Sequence, residues 1–290
     1  MDKQPYITLN SNYKIPQFGI GVYQVSSNSE CEKCCLTALK LGYRHIDTAH
    51  YYGNEEGVGS AIKKSNIPRE EIYITTKLMS SDYGTGKTLK EIDNMLKRLD
   101  TKYIDLLLLH WPGNHQVEAY KDMEKAVELG KVRSIGLSNY VGNDLDEILK
   151  NAKIVPSINQ IELHPYYQRN NVVNQCQKLG IKIESWFPIG HGDKNLLNET
   201  IFKELGKKYG KSNPQIILRW HIQEGNIPLQ KSFNPEHIKE NFNIFDFNLT
   251  NEEIDKINKL PQKRYFDVPG SQVEGSKWVE IFNNFKPKHD

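Results

Sequence analysis

The sequence predicts an α/β chain folded as a TIM (β/α)8 barrel, with an N-terminal β-hairpin plug and a short C-terminal tail helix. Three observations carry this. Eight short β-branched or aliphatic runs alternate with longer segments of helical spacing. Eight βα units fit the roughly 250 residues typical of such a barrel. No GxGxxG loop occurs anywhere in the chain, which counts against a doubly wound dinucleotide-binding sheet.

The elements follow in order. YITLNSNYKIPQ, ahead of the first strand, reads as a hairpin turning near Ser11 and Asn12 and placed to plug the barrel floor. The strands fall at FGIGVY (18–23), RHIDTA (44–49), IYITTKL (72–78), IDLLLLHW (104–111), VRSIGLSN (132–139), SINQIEL (157–163), KIESWFPI (182–189) and NIPLQKS (226–232). Between them, KTLKEIDNMLKRL (87–99) and VEAYKDMEKAVELGK (117–131) repeat apolar residues at i, i+3, i+4 and i+7, each able to pack one face on a sheet. In the tail, WVEIFNNF sets Trp278, Ile281, Phe282 and Phe285 at helical spacing, which suits a docking helix. With no linker or low-complexity tract, residues 1–290 read as a single barrel domain.

Composition narrows the function. A chain of 290 residues with 38% hydrophobic residues can bury a sizeable core, and Lys+Arg 38 against Asp+Glu 36 leaves no excess charge for coating nucleic acid. No apolar run approaches the roughly 18 residues that span a bilayer, and MDKQPYITLN lacks the apolar stretch of a secretion signal. Cys31, Cys34 and Cys35 crowd one helical segment and Cys176 stands apart, which is no disulfide framework for this length. The CxxC at Cys31 and Cys34 lacks a second CxxC or His pair, so packing is preferred to a metal site. The expectation is a soluble, cytoplasmic monomer acting on a small molecule, with no nucleic-acid, membrane or metal partner.

In a barrel of this kind the C-terminal strand ends share one mouth, where chemistry sits. Asp47, Lys77, His110, Ser138, Asn139, Gln160, Trp186, Lys231 and Ser232 all fall at or near those ends. Each alone has a bland explanation, since a strand-end Lys commonly snorkels to water. Their concentration on consecutive strands reads as a site. A buried Asp47 needs a cation, which Lys77 on the neighbouring strand supplies, and Tyr52 lies in the loop above both. The ammonium is expected to lower the Tyr52 phenol from its usual value near 10, making it a general acid. His110 then positions a substrate oxygen, which gives a carbonyl-reduction site.

These residues resemble the aldo-keto reductases, nearly end to end. The resemblance covers GYRHIDTAHYYGNEEGVGSAI (42–62), ITTKL (74–78), IDLLLLHWP (104–112), GKVRSIGLSNY (130–140), INQIELHPY (158–166) and KSFNPEHIKEN (231–241), in family order. It implies a TIM barrel that reduces aldehydes and ketones with NAD(P)H and no Rossmann domain. It assigns the catalytic tetrad to Asp47, Tyr52, Lys77 and His110, and the nicotinamide carboxamide contacts to Ser138, Asn139 and Gln160. The ring-stacking position is Trp186, within ESWFPIG, similar to the bacterial diketogluconate-reductase-like branch. Lys231, Ser232, Asn234, Glu240 and Asn241 fall at the pyrophosphate and adenosine end, and Tyr23, Tyr51, Met79 and Trp111 at the substrate pocket.

Two positions depart from the family pattern. His237 replaces an arginine that holds the 2′-phosphate of NADPH, and Gln230 stands where a proline is common before Lys-Ser. Lys231 remains as a cation for that phosphate, so NADPH is the expected cofactor, with NADH possible. Short loops such as PGNHQ (112–116) imply an open pocket and a broad substrate range. Two rivals stay open: a Schiff-base aldolase using a strand-end Lys, and a nucleotide-binding regulatory protein without turnover.

Overall fold

The computed structural model describes residues 4–25 and 27–263. Residues Tyr6–Thr8 (β1) and Lys14–Pro16 (β2) pair antiparallel across a turn in which Asn12 adopts a left-handed φ of 67°. The turn thus falls where Ser11 and Asn12 place it. Eight further strands close a parallel barrel: Gly19–Gly21 (β3), His45–Asp47 (β4), Tyr73–Leu78 (β5), Ile104–Leu109 (β6), Val132–Ser138 (β7), Ile158–Glu162 (β8), Lys182–Trp186 (β9) and Ile227–Gln230 (β10). The order is β10-β3-β4-β5-β6-β7-β8-β9, with β9 pairing β10 to complete the ring.

Residues alternate between the barrel interior and the helical ring. Ile74, Leu107 and Leu109 join the large core between strands and helices, whereas Tyr73, Leu106, Leu108, Ile158 and Ile227 form an inner cluster with Leu9 and Ile15 of the hairpin. The hairpin therefore seals the floor. Ser11 Oγ lies 2.7 Å from Ser134 Oγ, and Asn10 Nδ2 donates to the Pro156 carbonyl at 3.0 Å, pinning it to β7 and the segment before β8. Gly19 permits a close approach between neighbouring strands of the ring. A Cβ there would stand 2.7 Å from Leu229 Cδ2 and 2.8 Å from His45 Nδ1.

The helical ring matches the sequence pattern closely. The two amphipathic segments become helices Lys87–Arg98 and Gln116–Glu128, and Cys31, Cys34, Cys35 and Cys176 are all buried, free thiols. The strands are shorter than the apolar runs: 19–21 instead of 18–23, 45–47 instead of 44–49, and 227–230 instead of 226–232. Of the residues trimmed from the C-terminal side, Tyr23 and Lys231 line the barrel mouth. Trp278, Ile281, Phe282 and Phe285, the expected tail helix, lie outside the described residues. Among the described residues, no helix is long and apolar enough to cross a membrane.

Candidate active site

Asp47 is the last residue of β4, and the chain then makes a single 3-10 turn, His50–Tyr52, ended by Gly53 at φ 63°. That turn fixes Tyr52 above the strand. It is held from two sides: His50 Nδ1 meets Asp82 Oδ2 at 2.7 Å, and Asn54 bridges Thr48 Oγ1 (2.7 Å) and the Val22 carbonyl (3.0 Å). Burial alone would lower the His50 pKa, but the hydrogen bond and charge of Asp82 raise it overall. The turn is clamped by a partly ionic contact.

Lys77 lies inside β5, one residue before its end, and is completely buried. Its Nζ donates to Asp47 Oδ1 at 2.7 Å, Asp47 Oδ2 at 2.8 Å and the Thr48 carbonyl at 2.9 Å, with Tyr52 Oη at 3.3 Å. Three protons therefore face four acceptors, and Tyr52 is the farthest. Burial raises the Asp47 pKa, while the Lys77 charge and hydrogen bonds from Lys77 and Gln160 oppose it. An ammonium so tied has no lone pair to offer a carbonyl, which argues against the Schiff-base alternative.

Tyr52 differs from the expectation. Burial above all, then the negative charge of Asp47, holds its phenol well above the usual tyrosine value, despite the neighbouring ammonium. It is kept as a protonated donor. The His110 ring lies edge-on to it, with centroids 5.7 Å apart, and burial with the Lys77 charge pushes the imidazole pKa well below its ordinary value. His110 is thus a neutral hydrogen-bonding group beside a neutral phenol.

A cavity at the mouth brings most of the expected residues together. Asp47, Tyr52 and His110 line it beside Tyr23, Tyr51 and Trp111, and Ser138, Asn139, Gln160, Trp186 and Lys231 complete its other side. Asn139, at φ 67°, donates through Nδ2 to the His110 carbonyl and Ser138 Oγ, both at 3.1 Å. Its Oδ1 accepts from Trp186 Nε1 at 3.0 Å, which fixes the plane of the indole. Lys231 Nζ reaches across to Gln24 Oε1 at 2.8 Å on the rim.

Other positions lie elsewhere. Met79 is fully buried and does not line this cavity, because the chain after β5 turns inward there and Met79 N donates to Asp82 Oδ2 at 2.9 Å. Of the expected pocket positions, Tyr23, Tyr51 and Trp111 line this cavity and Met79 does not. Ser232, Asn234, His237, Glu240 and Asn241 sit beyond the cavity, in and before the helix Pro235–Phe242, where Asn234 caps Glu236 N at 2.9 Å. His237 and Glu240 are exposed, whereas Asn241 is buried. Phe187 and Leu229 also line the cavity. Phe187 was legible as the apolar neighbour of Trp186, but its φ of 52°, which turns the chain there, was not.

Barrel, mouth and sequence relatives together place the chain among the oxidoreductases. The aldo/keto reductase family model matches residues 17–262, and the chain belongs to that family. It is 40% identical to the methylglyoxal reductase DkgA of Escherichia coli (strain K12) over 93% of this chain and 98% of that protein. Against the glyoxal reductase of Bacillus subtilis (strain 168) it is 40% identical, covering 88% and 92% respectively. The aldo-keto reductase AKR2E4 of Bombyx mori, solved in complex with NADP, superposes with a TM-score of 0.86 at 34% identity over 92% of this chain and 96% of that one.

The Lys77–Asp47 pair gives the first prediction. Lys77→Met leaves a buried carboxylate without its cation and is expected to cost about 3–5 kcal/mol in urea unfolding. The double variant Asp47→Asn/Lys77→Met should recover part of that loss. A single variant within about 0.5 kcal/mol of wild type would show that the pair is not desolvated as described.

Proposed function

We propose that this protein reduces aldehydes and ketones with NADPH, with Tyr52 as general acid, Lys77 and Asp47 supporting it, and His110 orienting the carbonyl. The observation that carries this reading is the contact of the Tyr52 hydroxyl with a buried, carboxylate-bound ammonium at 3.3 Å, on the wall of a cavity that a neutral His110 shares. When bound, a nicotinamide cofactor supplies the hydride.

The residues around the cavity fit such a group. Gly21 lines the wall, and a Cβ added there would meet nothing nearer than the Leu229 carbonyl at 4.0 Å, so its absence leaves space for a ring. Trp186 offers an indole held in one plane, an aromatic surface for stacking. Ser138, Asn139 and Gln160 would meet the carboxamide. Lys231, Ser232, Asn234, His237, Glu240 and Asn241 would hold the phosphates and adenosine, with the helix N-terminus at Asn234 suited to an anion.

The proton step follows from the electrostatics. Addition of hydride turns the substrate oxygen into an alkoxide, which is far more basic than a phenolate, so even a phenol with a raised pKa gives up its proton to it. The negative charge then moves to Tyr52 Oη, where the Lys77 ammonium stabilises it at short range. Before that moment the raised value keeps Tyr52 protonated and ready. The aromatic walls of Tyr23, Tyr51 and Trp111 favour substrates with an apolar body.

Tyr52→Phe keeps the packed ring and removes the donor. Turnover of an aldehyde should fall by about 10²–10⁴-fold, with the NADPH dissociation constant, read by fluorescence, unchanged. Reduction near the wild-type rate would remove Tyr52 from the acid role. The cofactor reading has its own check. His237→Arg adds a fixed charge and planar fork for the 2′-phosphate, a contact of about 1.5–3 kcal/mol. The preference for NADPH over NADH, measured as a ratio of dissociation constants, should rise at least about tenfold; an unchanged ratio would show that position 237 does not face the phosphate.

A further inference from the structure

Beneath the tetrad lies a second layer of buried polar side chains that the proton step does not use. Glu184 of β9 points into the barrel two residues before Trp186 and has no solvent exposure. Its Oε2 accepts from Gln160 Nε2 at 2.8 Å, and the same nitrogen donates to Asp47 Oδ2 at 2.8 Å. His45 closes the layer, with Nε2 2.9 Å from Thr75 Oγ1 and 3.6 Å from Glu184 Oε1.

A glutamine amide carries two donors on its nitrogen and an acceptor oxygen. In Gln160 both donors are spent on carboxyl groups from two different strands. Turning the amide over would set its oxygen against the Asp47 carboxylate and its donors away from both carboxyls, so its orientation is dictated by chemistry. The terminal torsion of glutamine is broad and two-fold. One anchor would let the amide plane swing; two anchors fix it. Burial first, and the Asp47 charge second, raise the Glu184 pKa to about 8, so Glu184 accepts this bond at neutral pH without placing a second negative charge beside Asp47.

We propose that Glu184 is a positioning residue which, with Asp47, clamps the Gln160 amide so that only Oε1 is offered to the cavity, as an acceptor selecting the carboxamide NH2 of the nicotinamide ring. This rests on the reading that Gln160 meets that carboxamide. Asp47 thereby serves two functions, holding the ammonium on one side and the amide on the other. Glu184 carries only the second.

The test compares dissociation constants for NADPH and for its reduced 3-acetylpyridine analogue, in which a methyl replaces the carboxamide NH2. The full chain is used as wild type, Glu184→Met, Glu184→Gln and Gln160→Ala. Wild type should prefer NADPH at least tenfold, and Glu184→Met should bring the ratio within threefold of one. Glu184→Gln, which restores an acceptor oxygen, should return most of the preference. Equal weakening of both cofactors in Glu184→Met, with the ratio kept, would mark a purely structural role and overturn the proposal. If wild type shows no preference, or Gln160→Ala keeps it, the carboxamide reading itself fails; if Gln160→Ala abolishes it and Glu184→Met does not, only the clamp fails. Should Glu184→Met not fold, amide exchange in the wild-type protein decides. Both Gln160 side-chain protons, assigned by their loss in Gln160→Ala, should exchange slowly, and rapid exchange of either would contradict the clamp.

Discussion

Lys77 and Asp47 form an ion pair inside the barrel, with Lys77 fully buried and Asp47 only 4% exposed, and the surrounding polar groups are arranged to satisfy it. Isolated, either charge would cost several kcal/mol to bury. The ammonium is matched to two carboxylate oxygens and the Thr48 carbonyl, and Asp47 takes a further hydrogen bond from Gln160. Tyr52 is then the proton donor at the edge of this cluster that both touches the ammonium and lines the cavity. A charge buried at structural expense is thereby aimed at one hydroxyl.

The same burial sorts the neighbouring protons. It raises the values of Tyr52 and Glu184 and lowers those of His110 and, to about 3, His45. The groups around the ion pair are thus held neutral, and the one strong local field is that of the pair itself. Its effect on a phenol is small while the phenol is neutral and large once charge develops there. Stabilisation that appears only as the reaction proceeds is the kind that accelerates it.

Much of this arrangement is legible in the sequence, for a reason tied to strand geometry. Alternation along a strand fixes which residues share a face, so RHIDTA and IYITTKL already place Asp47 and Lys77 inside, and parallel neighbours bring them together. The same parity also places His45 and Thr75 inside, two residues earlier, and Glu184 two residues before Trp186. That signal was present in KIESW, but a Glu in a short strand reads equally well as solvent-facing until the ring closes and leaves no solvent there. Met79 shows the opposite limit: one residue beyond the strand, its direction is set by the Asp82 contact, which no periodicity announces. The raised Tyr52 value is likewise a property of assembled burial, since Lys77 spends its protons on nearer acceptors that the sequence does not rank.

The central claim is that Asp47 and Lys77 act on the substrate through Tyr52 and not independently of it. A double-mutant cycle on turnover tests this directly. Reduction of one aldehyde, benzaldehyde, would be followed under NADPH saturation for wild type, Asp47→Asn, Tyr52→Phe and the double variant. The account predicts that the double variant is no slower than Tyr52→Phe alone, because loss of the hydroxyl removes the group on which the pair acts. A double variant slower by the product of the two single losses at saturating NADPH, where the hold of Asp47 on Gln160 no longer limits cofactor binding, would show that Asp47 acts on the substrate by another route and would contradict the account.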